Sequence, residues 1–345
     1  MKRIYDYDLK DLEEYVVSKG YKKYKAKQIY HWLYKKRVSS FDEMTDLSKD
    51  FITELKDEFI IENLTLVTSQ VSKDGTTKYL FSLTDGSLIE SVLMVFDYGY
   101  SACITTQIGC NMGCTFCASG LLKKVRDISA GEILNQIVYI QKELDKKGER
   151  LANIVVMGTG EPFDNYDNVM KALSIINDPL GIEIGARHIS VSTCGVIPGI
   201  KRFSKEKVQY NLAISLHASN DELRSRLMPI NNAYHLSELM STLKEYSKEN
   251  NRRLTFEYLL LDGINDTEKN ADELKELLKG MNAYINLIPY NNVKEKDYHT
   301  SSEKKALMFY DMLKKRGVSV TLRQKKGDDI DAACGQLRAN YSKGN

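Results

Sequence analysis

Along this 345-residue chain the apolar positions change period twice. In the first stretch they recur at helical spacing. Asp8 to Val17 reads as one helix, stopped near Gly20, and Ala26, Ile29, Tyr30 and Leu33 make the apolar stripe of a second. Gln28, His31, Trp32 and Lys35 then face the other way. Between 64 and 96 the period falls to two. The runs Thr77–Thr84 and Ser87–Val95 flank Asp85-Gly86, a dipeptide suited to a tight hairpin turn, and Asp74-Gly75 signals another turn just before. From Ser101 onward strands and helices alternate. Strands are expected at 101–107, 152–157, 187–193, 210–217, 253–261, 283–289 and 318–323. Helices are expected near 129–146, 166–177, 198–204, 235–249, 266–279 and 301–316, the first opening on a capping box, Ser129-x-x-Glu132. Such alternation needs right-handed crossovers and builds a doubly wound sheet or a barrel. In both, working groups gather at the C-terminal ends of the strands. The expected organisation is a helical domain over 1–60, a β-hairpin extension over 61–98 and an α/β core over 99–345.

Composition narrows the class. Hydrophobic residues make up 42% and charged residues 28%, ordinary for a globular protein. No apolar run approaches the roughly 18 residues that span a membrane. The start turns acidic at Asp6 without an apolar segment, so no secretory signal is expected. Six cysteines in this length do not make a disulfide framework and fit a reducing, cytoplasmic setting. Net charge is only +2, but Lys19 to Arg37 holds eight Lys and Arg and no acid. Lys22, Lys23, Lys25, Lys27, Lys35, Lys36 and Arg37, interleaved with Tyr21, Tyr24, Trp32 and Tyr34, suit phosphate contact and base stacking. A solvated helix face would carry the same charges.

The chemistry is concentrated in Cys110-Asn111-Met112-Gly113-Cys114-Thr115-Phe116-Cys117. Three thiols within eight residues can wrap one compact metal centre and leave it one protein ligand short of four. An iron–sulfur cluster held by three thiolates keeps one iron open; a zinc knuckle or three unrelated core thiols are the alternatives. Other unusual residues fall after successive strands. Gly158-Thr159-Gly160-Glu161-Pro162 is a tight turn whose carboxylate can accept from an ammonium. Ser192 ends the third strand of the core, Ser215-Leu216-His217 ends the fourth and Asn291 follows the sixth. Cys334 lies in the loop after the seventh, flanked by small residues. Glu90 is a lone carboxylate in an apolar strand, which is ordinarily solvent-facing. Cys103, within the first core strand, and Cys194 would ordinarily be packing thiols.

Taken together, the cysteine loop, Gly158–Pro162, Ser215-Leu216-His217-Ala218, Leu227-Met228-Pro229-Ile230-Asn231, Asn286-Leu287-Ile288-Pro289-Tyr290-Asn291, Asp329–Leu337 and Lys27-Gln28-Ile29-Tyr30-His31-Trp32-Leu33 resemble the RlmN/Cfr family of radical S-adenosylmethionine (SAM) RNA methyltransferases. The resemblance runs from about residue 5 to residue 341. Pro162 and Pro289 resemble the branch that methylates adenine at C2 rather than C8; Thr159 departs from the Met found in many members. The resemblance implies a partial (β/α)6 radical SAM barrel with a small N-terminal helical domain and a β-hairpin extension. It implies a [4Fe–4S] cluster on Cys110, Cys114 and Cys117, with SAM chelating the open iron and held by Gly160, Glu161, Ser192, Ser215, Leu216, His217 and Asn291.

It further implies two SAM molecules per turnover. Cys334 takes a methyl group from the first. The second yields a 5′-deoxyadenosyl radical that removes hydrogen from that methyl, and the resulting methylene radical adds to adenine C2. Glu90 accepts the C2 proton, and Cys103 resolves the protein–RNA link through a transient disulfide with Cys334. The implied partners are 23S rRNA, at the peptidyl-transferase-centre adenosine, tRNA, at the adenosine 3′ of the anticodon, and a one-electron donor such as flavodoxin or ferredoxin. The protein is expected to act as a monomer in the cytoplasm, away from membranes. A radical SAM activase for a partner protein would need neither Cys103, Cys334 nor the basic aromatic helix.

Overall fold

Ten strands lie side by side in the order in which the chain makes them. The computed structural model describes residues 1–250, 252–327, 329–331 and 335–344. Strands β1 (Thr65–Val71), β2 (Thr77–Ser82), β3 (Leu88–Phe96) and β4 (Gly99–Cys103) form an antiparallel meander. Asp74-Gly75 and Asp85-Gly86 sit at its first two turns, with both glycines at positive φ. From β4 onward every pair is parallel: β5 (Leu151–Val156), β6 (Ile189–Thr193), β7 (Asn211–Ser215), β8 (Leu254–Leu260), β9 (Ala283–Pro289) and β10 (Val320–Leu322). All seven expected core strands are present.

The first core strand is shorter than its pattern predicts. It stops at Cys103, and Gln107-Ile108 pairs instead with Arg126-Asp127 in a separate antiparallel ladder. The cause is Gln136, fully buried, whose amide takes both backbone groups of Thr105: Oε1 accepts its N–H at 2.9 Å and Nε2 donates to its carbonyl at 2.9 Å. A buried amide that replaces two ladder bonds lets the chain leave the sheet without orphaned backbone groups.

Helices cover the crossovers: α4 (Ala130–Asp145), α5 (Tyr166–Asn177), α6 (Ile197–Phe203), α7 (Asp221–Leu227), α8 (Leu236–Asn250), α9 (Glu268–Leu277) and α10 (Glu303–Lys315). The predicted capping box at Ser129 and Glu132 is present in full. Within the α/β core two described helices were not legible: α7, only seven residues long, and α11 (Gln336–Gly344).

The N-terminal segment forms α1 (Leu9–Ser18), α2 (Tyr24–His31), a π-helical turn over Trp32–Lys36 and α3 (Lys49–Glu58). The stripe Ala26, Ile29, Tyr30 and Leu33 is fully buried, as its spacing demands. The opposite face is less open than expected. Tyr34 is buried, Trp32 packs against the core and donates to Asp46 Oδ1 at 2.5 Å, and Lys23, Lys35 and Arg37 pair with Glu13, Glu183 and Asp145. Lys22, Lys27 and Lys36 stay exposed, with no ion pair among the described residues. These helices share one apolar core with the sheet and dock through Asp6, whose carboxylate caps α4 at Gly131 N–H (2.7 Å). No helix among the described residues is long and apolar enough to cross a membrane.

Candidate active site

The C-terminal ends of the parallel strands surround a cavity of about 380 Å³. Cys110, Cys114 and Cys117 lie in its wall, in the loop after β4. That loop is fastened on several sides. Thr115 N–H donates to Leu227 O on α7 (2.9 Å), Tyr290 OH to Phe116 O (2.9 Å) and Cys110 N–H to Leu122 O (3.1 Å). Gly109 enters the loop at φ 81°, where a Cβ would stand 2.1 Å from Lys123 O, so no side chain fits. Burial pushes the Cys110 thiol up to about 11 and Cys114 higher still. A thiol so placed stays protonated until a metal takes the proton's place. Among the described residues no three His, Cys, Asp or Glu side chains converge as the ligands of a single ion do. The three thiols instead share one wall of a space with room for a larger body, and that donor set fits a cluster.

Gly160 and Glu161 follow β5 into the same wall, and so do Ser192, Ser215, His217 and Asn291 at the ends of β6, β7 and β9. At Gly160, φ is 113° and a Cβ would meet Gln107 Cβ at 2.6 Å. Glu161 is 3% exposed. Its oxygens accept from Phe163 N–H (3.0 Å) and Cys194 N–H (2.8 Å), and it makes no ion pair among the described residues. Burial raises its pKa against the pull of those amides. A buried carboxylate held by two amides and lacking a cation fits the ammonium of an amino-acid ligand such as SAM.

His217 is left-handed at φ 55°. Its Nδ1 accepts from Leu259 N–H at 3.0 Å, which leaves Nε2 as the protonated nitrogen, and Phe116 stands edge-on at 5.0 Å. Burial, with Arg224 nearby, lowers its pKa to about 3, so the ring is neutral. Ser192 Oγ and Ser215 Oγ lie 3.3 Å apart. Leu216 differs from its neighbours: its side chain packs into the main core, and its N–H goes to Glu257 O.

Cys103 also lines the cavity. Glu90 does not, among the described residues, and the solvent-facing expectation for it is corrected: it is 4% exposed. It lies diagonally across the β2–β3 pair from Lys78, itself 1% exposed, with Nζ 2.8 Å from Glu90 Oε2. Its oxygens also accept Gly335 N–H (2.7 Å) and Arg338 N–H (2.5 Å) at the start of α11. Cys334 lies outside the described residues. Its neighbour Gly335 sits against Ser119, two residues past Cys117: a Cβ there would be 2.8 Å from Ser119 N. Ahead of Cys334, the β1–β2 turn holds the tail. Gly327 N–H donates to Asp74, Ser72 Oγ and Lys73 N–H to Asp329, and Gln70 exchanges bonds with Asp331.

Three residues escaped sequence reasoning. Lys78 and Glu257 each interrupt an apolar strand, and that was the available signal. Glu257 lines the cavity, accepts from Asn286 Nδ2 (2.8 Å), and has its pKa raised by burial. Arg224, on the short polar α7, gave no signal.

Comparison with known proteins agrees with this geometry. The model described as "Ribosomal RNA large subunit methyltransferase N-terminal domain" matches residues 3–61, and that of the "Radical SAM superfamily" matches 104–277. Proteins called "Probable dual-specificity RNA methyltransferase RlmN" are similar over essentially the whole chain. That of Streptococcus thermophilus is 55% identical, covering 99% of this chain and 89% of its own; that of Streptococcus mutans is 54% identical, covering 99% and 96%. The crystal structure of a radical SAM methyltransferase from Sphaerobacter thermophilus superposes with a TM-score of 0.94 at 41% identity, over 97% of this chain and 99% of that one. Their family's cofactors are a [4Fe–4S] cluster and SAM, the two groups that the thiol loop and the Glu161 cradle fit. On the match to both family models and on relatives aligned end to end, the chain belongs to the RlmN family of radical SAM RNA methyltransferases.

Proposed function

We propose that this enzyme methylates C2 of adenosine in RNA, in 23S rRNA at the peptidyl-transferase centre and in tRNA 3′ of the anticodon, acting as a cytoplasmic monomer with a flavodoxin or ferredoxin as electron donor. The observation that carries the reading is the seating of Gly335. It follows Cys334 directly, rests against Ser119 beside the cluster loop, and is tied to Glu90. One short segment thereby brings together the thiol-loop side of the cavity, the proposed proton acceptor and the residue next to the proposed methyl carrier. Pro162 and Pro289, the residues of the C2 branch, both line the cavity and support C2 over C8.

When bound, the cluster and the two SAM molecules of each turnover supply the methyl group and the carbon radical. Cys110, Cys114 and Cys117 would hold the cluster. Glu161 would take the SAM ammonium, with Gly160, Ser192, Ser215, His217 and Asn291 completing its cradle. Cys334 Sγ carries the methyl carbon and delivers it to C2, forming a carbon–carbon bond while the sulfur stays attached. Glu90 would accept the C2 proton while one electron passes from the adduct back to the bound cluster, and the two losses together would restore the aromatic ring. Both its oxygens are engaged, so taking that proton requires one tail amide to let go. Cys103 then attacks Cys334 Sγ. The S–C bond breaks with its electron pair going to the methylene carbon, which takes a proton and becomes the methyl group; an S–S bond forms, and methylated RNA leaves. Residues 1–60 act as the RNA-binding accessory domain through Lys22, Lys27 and Lys36.

Nucleoside mass spectrometry on RNA treated with the anaerobically reconstituted enzyme tests the reading. 2-Methyladenosine is expected; 8-methyladenosine would assign the other branch. Peptide mass spectrometry after SAM incubation should find a methyl group on Cys334, and an unmodified thiol would remove the relay.

A further inference from the structure

Arg224 is the largest fully buried side chain among the described residues, at 0% exposure, and it makes no ion pair among them. Its acceptors are neutral: Asn231 Oδ1 at 2.9 Å, Cys194 O at 2.6 Å and Ser215 O at 3.5 Å. Its Nε–H has no partner. An arginine keeps its charge even when buried, so a whole positive charge lies here with no carboxylate in contact; Asp221, an acid whose charge it feels, stands behind Asn231, which donates Nδ2 to Asp221 Oδ1 at 2.9 Å.

The surroundings say what could offset it. Leu223 and Leu227, beside Arg224 on α7, pack with Phe116, Cys114 and Cys117 in one apolar cluster. The carbonyl that closes α7, Leu227 O, holds Thr115 within the thiol loop. Cys194, whose carbonyl Arg224 grips, gives its N–H to Glu161. One residue, Cys194, thus joins the buried cation to the carboxylate of the proposed SAM cradle. The guanidinium also ties the end of β7, through Ser215 O, to the residue after β6.

We propose that Arg224 is a positioning residue that serves the cluster as its buried counter-charge. It braces the strand ends that cradle SAM and holds one positive charge behind the thiol loop. This rests on the reading of Cys110, Cys114 and Cys117 as ligands. Reduction adds one electron to a body already made negative by thiolates. A fixed positive charge in a low-dielectric interior stabilises the reduced form more than the oxidised one and so raises the reduction potential.

The test is an EPR-monitored reductive titration of anaerobically reconstituted protein at matched iron content. R224Q keeps donors for Asn231 and Cys194 but removes the charge, and its potential should fall below wild type. R224K restores a charge and should recover most of the shift. N231D leaves the arginine in place but sets a carboxylate on Nη1, and should lower the potential as well. If R224Q takes up no iron, N231D decides. A wild-type potential in whichever of R224Q and N231D carries the cluster overturns the proposal. Iron content separates this from the ligand reading, since a failed ligand set shows as lost iron and not as a shifted potential.

Discussion

Two buried carboxylates flank the site, and they differ in what completes them. Glu161 accepts two amides from the ends of neighbouring elements and has no cation among the described residues. Glu90 also accepts two amides, but they come from 245 and 248 residues further along, and its cation, Lys78, is built in. The first belongs to a rigid frame and is left open for a ligand's charge. The second is closed by the protein itself and clasps a segment that the proposed relay would move. Hydrogen bonds across such sequence separation, exchanged with a short tail, can break without disturbing the sheet. The proposed cradle is preformed, and the side proposed to carry the methyl group is held by a clasp.

The comparison breaks most completely at the thiol loop. C114A should lose the visible absorption of the cluster and all activity; full iron occupancy in that variant would refute the ligand set. Next comes the clasp. E90Q leaves Lys78 without its anion, at a cost of about 3 kcal/mol. Amide hydrogen exchange at Gly335 and Arg338 should then accelerate roughly a hundredfold, with SAM affinity unchanged. If exchange stays at the wild-type rate, Glu90 does not dock the tail. E161Q should do the opposite: SAM binding weakens by about 2 kcal/mol, roughly 30-fold, while tail exchange is untouched. Isothermal titration of the reconstituted protein reads it, and an unchanged affinity would remove Glu161 from the cradle.

The rigid frame also predicts a pH dependence. His217 has a folded pKa lowered by burial to about 3, against 6.5 when unfolded. Between those values the unfolded chain binds more protons than the folded one, so stability should rise with pH across that window and level off above it. Urea unfolding at pH 4.5 and 7.5 should show a difference of at most about 3 kcal/mol that H217N abolishes. A slope unchanged in H217N would reassign the acid sensitivity. The smallest effect belongs to the outer surface. Reversing Lys22 and Lys27 to Glu should weaken RNA binding several-fold and flatten its salt dependence by about two counterions, leaving SAM binding alone. Equal affinity at low and high salt would move the RNA contact elsewhere.

Much of this was legible beforehand, for identifiable reasons. Ala26, Ile29, Tyr30 and Leu33 declared a buried stripe because a helix presents every third or fourth residue to one side. Asp85-Gly86 declared a turn because few residues tolerate its backbone. The three cysteines pointed to a [4Fe–4S] cofactor, which the family carries, because the spacing of thiols in one loop is a local property. The reading of the helical face was poorer: Tyr34 and Trp32 pack inward, and Lys23, Lys35 and Arg37 are taken up by acids from elsewhere in the chain. Glu90 was expected at the solvent because its partners are Lys78, on the next strand, and amides at the far end of the sequence.

The sequence alone determined what depends on neighbours in the chain: the alternation of strands and helices, the turns, the three-thiol loop and the family they indicate. The tertiary structure alone decided how charges are offset. It placed Lys78 on Glu90, left Glu161 open, ended β4 at Cys103 through Gln136, and buried Arg224 beside the thiol loop. The physical reason is range. Backbone propensity and chelation act over a few residues, whereas the cost of burying a charge depends on whatever the fold brings within a few ångströms, however distant in the chain.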